Sequence, residues 1–122
     1  MAKVLIAEDN IGVAKMVAFV LRNEGIDSKI AVNVPHAIDA ITYEIFDAIS
    51  LDMVFGQGAE KTGLDFLEAV PQETRNKTVI LSGYTGLARE GLVAKYGVYD
   101  VFDKGGKDTG YMQAIKDLCN AA

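Results

Sequence analysis

Short unbroken apolar runs, each followed by a stretch of helical periodicity, constrain this chain more than any other feature of its sequence. Val4-Leu5-Ile6-Ala7 is the first such run, and it ends abruptly in Glu8-Asp9-Asn10. Residues that are apolar consecutively, rather than alternately, suit a strand covered on both faces, as in a parallel sheet. Asn10 is placed to cap the helix that follows. Val13, Met16, Val17, Val20 and Leu21 recur there at helical spacing, and Gly25 marks the end. The alternation then repeats. Residues 29–32 read as a second strand, and Pro35 suits the first turn of a helix carrying Ile38, Ile41 and Ile45. Residues 47–51 read as a third strand. A glycine-rich loop from Gly56 to Gly63 comes next, then a short helix over about 64–70 stopped before Pro71. Residues 78–81 form a fourth strand, and Leu87, Leu92, Val93 and Tyr96 mark a helix ended by Gly97. Residues 100–103 read as a fifth strand, and Tyr111, Met112, Ile115 and Leu118 as a closing helix.

Five β–α units with short connections predict an α/β fold with a parallel sheet and helices on both faces. Composition agrees. The chain has 122 residues, 50% hydrophobic and 24% charged, which is enough to pack one core and too apolar for wholesale disorder. No internal repeat or linker divides it, so residues 1–122 are expected to form one domain without an output domain, either a stand-alone protein, toward which the opening Met1 leans, or a module of a larger one. The formal net charge is −5, and the absence of a basic face argues against direct nucleic-acid binding. The lone Cys119 cannot form an internal disulfide and is expected to be an inert thiol on the last helix. Met1-Ala2-Lys3 leads straight into a strand and no apolar run approaches the ~20 residues of a membrane span. A cytoplasmic protein without membrane insertion is the expectation.

The chemistry lies where the strands stop. Glu8 and Asp9 end the first strand, Asp52 the third, Ser82 the fourth and Lys104 the fifth. In an open parallel sheet the carboxyl ends of the strands share one edge, and ligands bind there. Three close carboxylates repel one another, and a divalent cation removes the conflict; all-oxygen ligands suit Mg²⁺. Lys104 supplies a compact positive charge, Ser82 a hydroxyl, and Gly83 an approachable backbone N–H. Carboxylate nucleophile, metal, lysine and hydroxyl together describe a site for transferring a phosphoryl group onto Asp52.

These residues, with the opening Lys3-Val4-Leu5-Ile6-Ala7-Glu8-Asp9-Asn10, resemble the receiver domains of bacterial response regulators over essentially the whole chain. The resemblance implies a CheY-like, flavodoxin-like fold with strand order 2-1-3-4-5. It implies Asp52 as phosphoacceptor, Mg²⁺ held by Glu8, Asp9, Asp52 and the backbone carbonyl of Val54, Lys104 contacting the phosphoryl group, and Ser82 as the switch hydroxyl. It also implies a sensor histidine kinase or histidine phosphotransfer protein as donor, a downstream protein target, and a phosphoacceptor rather than a turnover enzyme. The sequence departs from the family pattern at Gly105, where proline usually follows the lysine, at Val101, usually aromatic, and at Gly56, usually proline; the loop to Gly63 is longer than usual. Val54 cannot hydrogen-bond an attacking water and Tyr84 can shield the site, so self-dephosphorylation is expected to be slow.

Two rival chemistries fail on the same residues. A phosphatase of the haloacid dehalogenase type needs a second aspartate where Val54 stands, and a nucleotide site needs a glycine-rich loop where Glu8-Asp9-Asn10 stands. The alternative that keeps its footing is a receiver-like interaction module that works without phosphorylation, motivated by Val101 and Gly105.

Overall fold

The computed structural model describes residues 2–53, 62–82, 89–103 and 110–120. Strands β1 (Lys3–Ala7), β2 (Asp27–Ala31), β3 (Ala48–Leu51), β4 (Thr78–Ser82) and β5 (Asp100–Asp103) form one parallel sheet in the order β2-β1-β3-β4-β5. Helices α1 (Ile11–Asn23), α2 (Val34–Tyr43), α3 (Gly63–Ala69), α4 (Gln72–Asn76), α5 (Arg89–Tyr96) and α6 (Gly110–Asn120) accompany it. The α/β fold with order 2-1-3-4-5 is therefore the one the chain adopts.

Consecutive apolar residues in the central strands feed two separate cores. Leu5, Ala7, Ile49, Leu51 and Ile80 pack on one face with Ala37, Phe66, Leu67, Leu92 and Tyr96 from α2, α3 and α5. Val4, Ile6, Ala48, Val79 and Phe102 pack on the other with Ala14 and Leu21 of α1 and Ala114 and Ile115 of α6. Each fully buried aliphatic side chain here is worth about 1.5–3 kcal/mol, which is why β1 and β3 hold the middle of the sheet. The caps fall where the sequence placed them. Asn10 Oδ1 accepts from the Val13 N–H at 3.1 Å, and Gly25 and Gly97 take left-handed φ values of 76° and 71° just beyond α1 and α5.

Four local expectations are corrected. Strand β2 starts at Asp27 rather than Lys29, and Val32 lies outside it, exposed. In α1 the small residue Ala14 joins Leu21 against the sheet, while Met16 and Val20 turn outward with Phe19. Small residues let the helix sit close to the strands, and that rotation moves the bulkier stripe to solvent. Helix α2 ends at Tyr43, and extended backbone at Glu44 sends Ile45 to solvent at 90% exposure and Phe46 into the core. Helix α4 was not expected at all.

That extra turn fastens three elements together. Arg75 donates to the carbonyls of Leu67 and Val70 at the end of α3 and, through Nε at 3.1 Å, to the Tyr96 carbonyl at the end of α5. Gln72 Nε2 donates to the same Tyr96 carbonyl at 3.1 Å, and the Tyr96 hydroxyl reaches Glu68 at 3.2 Å. Among the described residues no helix is long and apolar enough to cross a membrane. Cys119 is a half-buried thiol on α6, pushed above its ordinary pKa by burial and by the charge of Asp47.

Candidate functional site

The site follows from strand register. Ala7 pairs with Leu51 across β1 and β3, so the next residues, Glu8 and Asp52, emerge side by side. Backbone bonds extend the ladder past both strands: Asp52 N–H donates to the Ala7 carbonyl at 2.9 Å, and Glu8 N–H to the Ala31 carbonyl at 3.0 Å. Chain order reverses here, because β1 has β2 on one side and β3 on the other. This is the switch point at which open α/β sheets bind ligands.

Carboxylate oxygens of Glu8, Asp9 and Asp52 lie within 4.8 Å of one another. Glu8 and Asp52 are buried, at 4% and 5% exposure, so they reach the cluster from the protein side while Asp9 meets solvent. Glu8 Oε2 also accepts from the Asn10 N–H at 3.3 Å, which holds the side chain back over the start of α1. Two ionised carboxylates at that separation repel by roughly 3 kcal/mol at an effective dielectric near 20. Cations placed against the cluster relieve this. The donor set, all hard oxygens and partly open to water, fits a divalent cation of the Mg²⁺ type.

Two packing details hold Asp52 in place. Gly63, the first residue of α3, lies directly on its backbone: a β-carbon there would sit 2.7 Å from the Asp52 carbonyl oxygen and 2.8 Å from Met53 Cα. The Gly63 N–H donates to the Met53 carbonyl at 3.1 Å, and Asp65 Oδ2 accepts from the Thr62 N–H at 2.6 Å to start the helix. One residue pair inward from Asp52, buried Ser50 accepts a 2.7 Å hydrogen bond from the Tyr111 hydroxyl at the start of α6. Burial pushes that phenol up to about 12, only partly opposed by the bond to Ser50. Tyr111 also meets the Phe102 ring edge-on, centroids 6.2 Å apart.

Of the residues singled out from sequence, the structure brings Glu8, Asp9 and Asp52 together. Ser82 is the last residue of β4, in register with Asp103 at the end of β5. That places it on the same sheet edge. Val54, Gly56, Gly83, Tyr84, Lys104 and Gly105 lie outside the described residues. Val101 on β5 is half-buried and packs against the core containing Leu92 and Tyr96, whereas Tyr99 precedes β5 and is exposed. Gly63 and the Ser50–Tyr111 pair went unrecognised in the sequence. The T-x-x-D start of α3 was a readable signal for the first, and nothing in the local pattern pointed to the second.

The fold is the CheY-like, flavodoxin-like one found in the receiver domains of response regulators. The Francisella response regulator 1452 receiver domain superposes with a TM-score of 0.82 at 22% identity, covering 99% of this chain and 98% of that one. TrrA of Thermotoga maritima, a response regulator whose structure was solved in complex with Mg²⁺-BeF, superposes at 0.77 and 17% identity over 97% of this chain and 99% of its own. Among curated sequences, an NtrX-like response regulator of Rickettsia bellii is 27% identical over 117 residues, 95% of this chain. This chain spans about a quarter (24%) of that relative's length. No family model matches the chain.

Proposed function

We propose that this chain is a phosphoacceptor signalling domain of a two-component system, taking a phosphoryl group on Asp52 from a histidine kinase or a histidine phosphotransfer protein. The observation that carries the reading is the convergence of Glu8, Asp9 and Asp52 within 4.8 Å at the switch point of the sheet. Glu8, Asp9, an Asp52 oxygen and the Val54 carbonyl would hold Mg²⁺, and the ion would supply neutralising charge to the phosphoryl oxygens. An Asp52 carboxylate oxygen attacks phosphorus, the P–N bond to the donor histidine breaks, and the imidazole nitrogen keeps the electron pair. Lys104 follows β5 in sequence and is assigned the contact with the phosphoryl oxygens; Ser82, ending β4, is assigned the switch hydroxyl that the new acceptor draws inward. The output is a changed binding face for a protein partner, with no catalytic turnover, in a single domain over residues 1–122 working in the cytoplasm.

The decisive experiment is intact-protein mass after incubation with Mg²⁺ and acetyl phosphate. One phosphoryl group added to the wild type and none to Asp52→Ala is the expected result. An adduct that survives Asp52→Ala would refute the assignment. A phosphorylation-independent interaction module is the second reading, and Val101 favours it. Packed into the core beside Leu92 and Tyr96, this side chain offers no ring to follow a moving Ser82. No adduct on either protein would select that reading.

A further inference from the structure

Among the described residues strand β2 is an edge of the sheet and pairs on one side only, with β1. Beside its open edge, on the flank of α1, runs a groove of about 530 Å³ lined by Lys15, Phe19 and Arg22 of α1, by Ile26, and by Asp27 and Ser28 at the start of β2. Two observations make this groove unlike an ordinary solvated helix flank. Phe19 is 64% exposed although it is a large apolar side chain. Lys15 and Arg22, on either side of it along the helix, form no ion pair with a carboxylate among the described residues. In a chain of net charge −5, uncommitted cations flanking an exposed ring are a local reversal of the overall charge.

We propose that this groove receives an extended acidic segment of a partner protein, hydrogen-bonded along β2 as a sixth strand. An added strand would satisfy the outer backbone groups of β2, the mode by which exposed sheet edges capture peptides. Ser28 lies opposite Val4 and Ile30 opposite Ile6 in the register, and Val4, Ile6 and Ile30 all pack on the α1 side. Alternate residues of the incoming strand therefore face α1. Lys15 and Arg22 are seven residues apart, a rise of about 10.5 Å along the helix. An extended segment covers that distance in about three residues, so acidic residues two or four apart on the α1-facing side meet both cations through their flexible stems. An apolar residue between them covers Phe19. Asp27 at the foot of the groove opposes a carboxylate placed next to it, which sets the position of the acidic residues along β2. The net charge argues against a second copy of this chain as the occupant.

The test is selection of peptides from a random phage-displayed library against the whole chain, followed by affinity measurement and amide chemical-shift mapping of the recovered peptides. The expected result is peptides that alternate acidic and apolar residues and shift the amides of residues 15–22 and 27–31. A Lys15→Glu/Arg22→Glu double variant, both positions being exposed and outside the cores, should bind about tenfold more weakly or worse, and the loss should shrink in high salt. Asp27→Asn should tighten binding. Recovery of no binding peptide overturns the proposal. So does recovery of peptides that lack acidic residues, bind the double variant equally well, shift residues elsewhere, or bind as helices.

Discussion

Gly63→Ala separates two physical effects of opposite sign. In the first turn of an ordinary helix, replacing glycine by alanine is stabilising by up to about 1 kcal/mol, because it restricts the unfolded chain and favours helix. At Gly63 the new methyl would lie 2.7 Å from the Asp52 carbonyl oxygen, 2.7 Å from Met53 Sδ and 2.8 Å from Met53 Cα. The sulfur is the end of a flexible side chain and can turn away. The other two atoms are backbone, so the start of α3 or the end of β3 must move. Overpacking of this kind costs typically 1–3 kcal/mol. The clash should win, giving a net loss of about 1–2 kcal/mol in urea denaturation and a site whose Asp52 is displaced from Glu8 and Asp9. Gly12→Ala is the matched control: its β-carbon meets only Asn10 Oδ1, at 3.3 Å, so it should be neutral to mildly stabilising. A Gly63→Ala protein as stable as the Gly12→Ala protein, with unchanged Mg²⁺ affinity, would refute the claim that α3 positions Asp52 by direct backbone contact.

Other outcomes follow from contacts already given. Ser50→Ala should cost about 1–3 kcal/mol by stranding the Tyr111 hydroxyl, while the Ser50→Ala/Tyr111→Phe double change should recover most of it; equal losses from single and double changes in a denaturation cycle would contradict the pairing. Because the folded Tyr111 phenol titrates near 12 and an unfolded one near 10, its contribution is complete below pH 10 and is lost as pH rises through 12. That amounts to roughly 2–3 kcal/mol. The pH dependence of stability in this window should flatten in Tyr111→Phe. Arg75→Met should destabilise by about 2–4 kcal/mol, and Arg75→Lys should rescue little of it, since a single ammonium cannot reach three carbonyls that a planar fork spans; full rescue in thermal melts would count against the clamp. Under the phosphoacceptor reading, Val54→Asn should shorten the lifetime of the Asp52 phosphoryl group, measured by loss of the adduct after removal of acetyl phosphate.

What could be read from the sequence was whatever depended on the pattern of single strands. Unbroken apolar runs announced buried strands, and polar residues at their ends announced Glu8, Asp9 and Asp52 as a group, because a parallel sheet leaves only one edge on which they can meet. What could not be read depended on which of two surfaces wins a contact. Helix α1 carries two overlapping apolar stripes, and only the approach of Ala14 to the sheet decides that Met16 and Val20 face outward. Helix α4, Gln-Glu-Thr-Arg-Asn, has no apolar periodicity at all; its Arg75 finds carbonyls at two other helix ends, a three-body arrangement that no local signal encodes. Gly63 looked like one more glycine in a flexible loop, whereas its role is set by a backbone ten residues earlier in the chain.

The bonds that converge on Tyr96 also give α5 a fixed end. The helix rises from Tyr96 to Arg89 over seven residues, about 10.5 Å, with its last carbonyl gripped by Gln72 and Arg75 and its last ring held by Glu68. A rod fastened at one end swings rather than slides. A tilt of about 10° would leave Tyr96 where it is and carry Arg89, the end on the side of the sheet edge that holds the carboxylates, through roughly 2 Å. The short polar turn at Gln72–Asn76 thus acts as a fulcrum. A push delivered to the far end of α5 would therefore become a rotation, largest at Arg89 and smallest at Tyr96.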